Sequence, residues 1–145
     1  MTIKYKQLNQ EWNADPNAPE VSLQIIHRNL IIKTYLNYFV YDDFNEGDYA
    51  IIKFKNVTSY SFNTCNDEGY YYGQYRFGPK ELPWGEFYEI ESGLDRNFPD
   101  PLITIQKGIA QHKHYVFFFK DNTLECIAEN YEVKMFTKNP NDKPQ

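Results

Sequence analysis

The residues best suited to chemistry are carboxylates gathered around two short segments of this 145-residue chain. Asp67 and Glu68 lie in the turn-rich run 63–69, and Glu86 follows Trp84 and Gly85, with Glu89, Glu91 and Asp95 further on. Paired carboxylates can divide acid and base work at one bond if the fold fixes their separation. On a strand Glu86 would project from one face, and Glu89 and Glu91 from the other. Between the two segments runs YYYGQYRF, residues 70–77. Alternation puts Tyr70, Tyr72, Gln74 and Arg76 on one side of it. Rings beside an amide and a guanidinium can hold a planar or sugar-like ligand, or grip another protein. The candidate binding set is Asp67, Glu68, Tyr72, Gln74, Trp84 and Glu86. A small hydrolase or isomerase built on Asp67, Glu68 or Glu86 is a competing reading, but no residue carries a catalytic signature.

Other constellations are weaker. His112 and His114 are two apart, so on a strand both imidazoles point to one side. A metal needs a third or fourth ligand, and His27 is the one other histidine. The acidic run 42–48 resembles a calcium loop in composition alone: counted from Asp43, Gly47 falls fifth instead of sixth. There is no GxSxG elbow, phosphate loop, dinucleotide fingerprint or zinc-spaced cysteine pair. The expectation is a protein without metal or cofactor.

The bulk properties narrow the partners. Net charge is −5, and the lysines and arginines are scattered singly along the chain. Phosphate backbones and anionic membranes call for a basic stripe, so neither nucleic acid nor membrane is expected. The first ten residues, MTIKYKQLNQ, hold no apolar core of a secretory signal, and no apolar run approaches a membrane span. A cytoplasmic protein with reduced Cys65 and Cys126 is the expectation.

Thirteen tyrosines and eleven phenylalanines favour strands and supply large buried area. The segment 115–128, YVFFFKDNTLECIA, shows how. With a tight turn at Asp121-Asn122, Phe119 faces Leu124, Phe117 faces Cys126 and Tyr115 faces Ala128, giving one apolar face. The other face, with Phe118, Glu125, Val116 and Ile127, is mixed. Truncating Phe118 should therefore cost clearly less than truncating Phe117. Residues 21–41 repeat the pattern with a turn at Arg28-Asn29, which sets Ile25 against Ile32 and carries the second strand on through Tyr38 and Val40. Further strands are expected at 49–54, 57–62, 70–77, 86–91 and 131–136, and one short helix at 102–111. The fold class is mostly β: an antiparallel meander of about eight to ten strands, forming a barrel or a two-sheet sandwich. Residues 1–138 read as one domain, with 1–20 a polar arm anchored by Trp12, and 139–145 as a disordered tail.

Several blocks in order carry a resemblance. They are Trp12-Asn13-Ala14 with Pro16-Asn17-Ala18-Pro19, Asn66-Asp67-Glu68-Gly69 with Gly73-Gln74, Trp84-Gly85-Glu86-Phe87-Tyr88-Glu89, Phe118-Phe119-Lys120-Asp121, and Leu124-Glu125-Cys126-Ile127-Ala128. Together they resemble a family of small uncharacterised bacterial proteins, departing from it at Leu124 and just before His112. The resemblance brings no activity with it, but implies that the 66–69 loop and the 84–89 block matter together. The leading function is a non-catalytic protein-binding module, such as an immunity protein. The alternatives are a lipocalin-like barrel with a small ligand between aromatic walls, or the carboxylate enzyme above. The expected partner is another protein or a small ligand.

Overall fold

The computed structural model describes residues 3–16, 21–63, 82–92, 102–106 and 112–138. Alternating apolar residues give ten strands among them: β1 (Lys4–Gln7), β2 (Ser22–Ile26), β3 (Asn29–Tyr35), β4 (Tyr49–Lys55), β5 (Ser59–Asn63), β6 (Phe87–Ser92), β7 (Ile103–Thr104), β8 (Lys113–Phe118), β9 (Thr123–Ala128) and β10 (Asn130–Phe136). They form two antiparallel sheets, ordered β1-β6-β8-β9-β5-β7 and β10-β4-β3-β2. The sheets do not close into a barrel. They make a sandwich, so the barrel expectation is resolved against closure.

The chain changes sheets twice at one corner. Asn56, at φ 52°, turns β4 of the smaller sheet toward β5 of the larger. Asn is among the few residues that tolerate that left-handed conformation. Beside it the chain returns from β9 to β10, where the Glu129 amide donates to the Lys55 carbonyl at 2.9 Å.

The main core lies between the sheets. Leu30, Ile32, Ile52 and Phe54 from the smaller sheet meet Phe87, Tyr115, Phe117, Leu124 and Cys126 from the larger. Phe54 meets Phe87 edge-on at 5.8 Å, and Phe117 stacks between Phe87 at 4.9 Å and Phe119 at 4.2 Å. Such contacts add to the area the rings bury. Trp12 does anchor the N-terminal arm, packing on Phe117 at 5.9 Å. Burial pushes up the pKa of the Tyr115 hydroxyl, and the nearby Glu89 adds to it. The Cys126 thiol is free and pushed well up by burial, with Glu125 adding a smaller part. Cys65 lies outside the described residues.

Both hairpins keep the expected faces but shift in register by two residues. Phe117 pairs with Leu124 and Tyr115 with Cys126, so the turn centres on Lys120-Asp121. Ile25 pairs with Leu30 and Leu23 with Ile32. That turn centres on His27-Arg28, both at positive φ, and His27 is an exposed turn residue. An even shift preserves which side chains share a face, since the strand period is two. Ile25 nonetheless stays 42% exposed, because β2 is the last strand of its sheet in that order.

Three expectations fail. Phe118, assigned to a mixed face, is fully buried: a second core of Ile3, Leu82, Tyr88, Ile90 and Val116 covers the outer side of the larger sheet, with Trp84 packed on it. Residues 102–106 hold the short β7 in place of a helix, and no helix occurs among the described residues. β3 ends at Tyr35, and 38–40 form a turn. Among the described residues, then, no helix is long and apolar enough to cross a membrane. The expected strand at 70–77 and the tail 139–145 lie outside the described residues.

Candidate functional site: a carboxylate cleft beside an exposed apolar turn

The N-terminal arm ties the two sheets together and builds the site in doing so. β1 pairs with β6 on the larger sheet, while Ala14 bridges to Leu36 at the end of β3 on the smaller. The Asp15 amide donates to the Tyr35 carbonyl and the Asn37 amide to the Asn13 carbonyl, both at 2.9 Å. Between these anchors Asn9 is buried and fully used. Its Oδ1 accepts from the Phe87 amide at 3.0 Å, and its Nδ2 donates to the Trp12 carbonyl at 2.7 Å and to Glu86 Oε2. This side chain replaces backbone partners that the arm would otherwise lack.

Glu86 sits in a ring of amides. Gln7 Nε2 donates to Oε2 at 3.2 Å, alongside Asn9, and Asn13 Nδ2 donates to Oε1 at 3.0 Å. Gly85, at φ 94°, makes the turn that presents Glu86 to them. Trp84 packs on Phe118 with ring centroids 4.8 Å apart. A cleft of about 280 Å³ opens here, lined by Trp84, Glu86, Asn13, Asn37 and Lys120 among others. Asn13 Oδ1 is buried and has no hydrogen-bond partner within the protein. An orphaned acceptor beside a carboxylate oxygen suits an incoming N–H donor.

Asn37 links the cleft to a neighbouring turn. Its Oδ1 accepts from the amides of Phe39 at 3.1 Å and Val40 at 3.4 Å. That cap holds the turn open with Phe39 55% and Val40 65% exposed. Tyr38 stacks on Phe39 at 4.2 Å and donates its hydroxyl to Glu46 at 3.3 Å. The pKa of the Tyr38 hydroxyl is raised by desolvation and then by Glu46. The pKa of the Tyr41 hydroxyl is raised by burial and then by Glu86 and Glu11.

The candidate residues fare unevenly. Trp84 and Glu86 line one cleft, as their proximity in sequence suggests. Asp67, Glu68, Tyr72 and Gln74 lie outside the described residues. Glu89 is in register with Tyr115 on β8, away from Glu86's amide ring. Among the described lining residues Glu86 is the one carboxylate, so no pair for acid–base work assembles there. Asn9, Asn13 and the Phe39-Val40 turn were not anticipated. The signals were an amide-rich run, QLNQEWN, and a turn-forming Asn37 inside what reads as a continuous strand.

The histidines do other work. His114 Nε2 hydrogen-bonds to fully buried Glu125, and both ring nitrogens of His112 are buried without a partner. No group of three metal-ligating side chains forms among the described residues. The acidic run is also structural in part: Asp48 accepts from the Asn45 amide at 2.8 Å and the Lys138 amide at 2.9 Å.

What fold and site define together is an antiparallel β-sandwich carrying one amide-caged carboxylate beside an apolar turn. No family model matches the chain, and neither a curated protein nor a solved structure shows a match to it.

Proposed function

We propose that the protein is a non-catalytic binding module for another protein, in the manner of an immunity protein that occupies and silences its target. One observation carries this reading. Phe39 and Val40 are held out in solvent by the Asn37 cap, directly beside the Glu86 cleft. Exposed aromatic and aliphatic side chains next to a charged pocket have the make-up of an interface hot spot with its polar rim. The partner we infer sets an apolar side chain on Phe39 and Val40. It sends a lysine, arginine or amide N–H to Glu86 Oε1 and Asn13 Oδ1. We infer a bacterial cytoplasmic setting as well, supported by the free Cys126 thiol.

The test is calorimetric titration against the purified product of a neighbouring gene. A one-to-one complex is expected, weakened by about 2 kcal/mol, roughly 30-fold, in Phe39→Asp and in Glu86→Gln. Ile103→Ser, on the exposed β7, should bind as the parent does. Absence of a complex, or a complex indifferent to both cleft substitutions, overturns the reading.

A further inference from the structure

The lysines are scattered along the chain, but the fold gathers several of them. On the smaller sheet the inward positions are Leu30, Ile32 and Thr34 on β3, and Ala50, Ile52 and Phe54 on β4. The outward positions are therefore Ile31, Lys33 and Tyr35 on β3, and Tyr49, Ile51, Lys53 and Lys55 on β4. The β10 register, Tyr131 with Phe54 and Val133 with Ile52, turns Glu132, Lys134 and Phe136 outward beside them. Lys138 follows, in contact with Gly47. Five lysines thus border one open sheet face of an acidic protein. The one acid among the outward strand positions is Glu132, paired with Lys55 at 3.4 Å.

The aromatic residues on this face are already stacked. The Lys33 ammonium lies over the Tyr49 ring at 4.4 Å, and Tyr49 stacks on Phe136 at 5.1 Å with planes 16° apart. Phe136 ends the column and is 41% exposed. A hollow of about 660 Å³ runs alongside, with Lys33, Tyr35, Phe136 and Lys138 in its walls. Two acidic side chains of the adjoining loop are engaged elsewhere: Asp48 binds backbone amides and Glu46 binds Tyr38.

We propose that this face binds single-stranded nucleic acid, with a base continuing the stack on Phe136 and phosphates held by Lys33, Lys53, Lys134 and Lys138. Rings on an open sheet with cations around them are the elements of sequence-tolerant single-strand binding. The exclusion drawn from scattered lysines concerned their order along the chain, whereas a phosphate backbone meets their arrangement in space. An acidic protein would use the cations and leave the ring column idle.

The experiment is fluorescence anisotropy with a short labelled oligothymidylate at low salt. Binding is expected to weaken about 10-fold in Phe136→Ala, the effect of losing one stacked base. The log–log salt slope is expected to fall by about 0.7 in Lys33→Ala, one phosphate contact fewer. Ile103→Ser is expected to bind as the parent does. Melting curves check that each variant is folded. No binding at low salt overturns the proposal. So does binding that ignores Phe136→Ala, or equal competition by polyglutamate, which would mark the face as a general anion surface.

Discussion

The outer faces of the two sheets read alike in sequence and end in opposite environments. On the larger sheet, β8 and β9 turn Val116, Phe118 and Glu125 outward, and all three are fully buried. On the smaller sheet, Ile31, Lys33, Ile51 and Lys53 turn outward and remain partly open to water. Each set mixes apolar and charged residues at alternate places, so alternation cannot tell them apart. The difference lies in what covers them. Leu82 and Trp84, from the segment before β6, join Ile3 over the first face. Polar atoms under such a cover need partners, and Glu125 has His114. On the open face water serves the lysines, which leaves them available for a ligand.

The largest effect to expect is at the buried pair of rings. Phe117→Ala and Phe118→Ala should each cost about 3–5 kcal/mol, because each removes a fully buried ring. Ile51→Ala, on the open face, should cost about 1 kcal/mol. Urea denaturation of the three variants ranks them directly. A loss below that of Ile51→Ala for Phe118 would mean that its face is not covered, and the contrast between the sheets would dissolve.

Next comes the polar pair under the cover. Glu125→Ala removes the carboxylate side of the buried contact with His114, which should destabilise by about 3 kcal/mol. Glu125→Gln keeps an acceptor for the imidazole and should lose less. Equal losses from the two substitutions would show that packing volume, not the hydrogen bond, decides the matter.

Much of this architecture was legible in the alternation of apolar residues. The inward faces of both hairpins follow from a period of two, and an error of two residues in register leaves those faces intact. The turn positions were not legible. His27 and Arg28 adopt positive φ that their side chains do not favour, while the adjacent Asn29 reads as the better turn residue. The cover over Phe118 was hidden too, since it is supplied by residues distant in sequence. Of the candidate site, Trp84 and Glu86 could be found as neighbours in the chain. The amide ring around Glu86 could not, because Gln7, Asn9 and Asn13 reach it through the β1–β6 pairing, some 70 to 80 positions away.

The smallest effect belongs to Glu132, and it separates stability from binding. Its bridge to Lys55 is exposed on both sides, with the two side chains about two-fifths accessible. Water screens such a pair, and holding two long side chains in place costs entropy, so Glu132→Gln should change stability by less than about 1 kcal/mol. The same substitution removes the one acid among the outward strand positions and frees Lys55 toward the solvent. If the open face holds a single strand, the oligothymidylate should then bind a few-fold more tightly, and with a steeper salt dependence. A variant that is thermally unchanged but binds no better would leave the lysines as solvated surface. The contrast between the two sheets would then be one of burial alone.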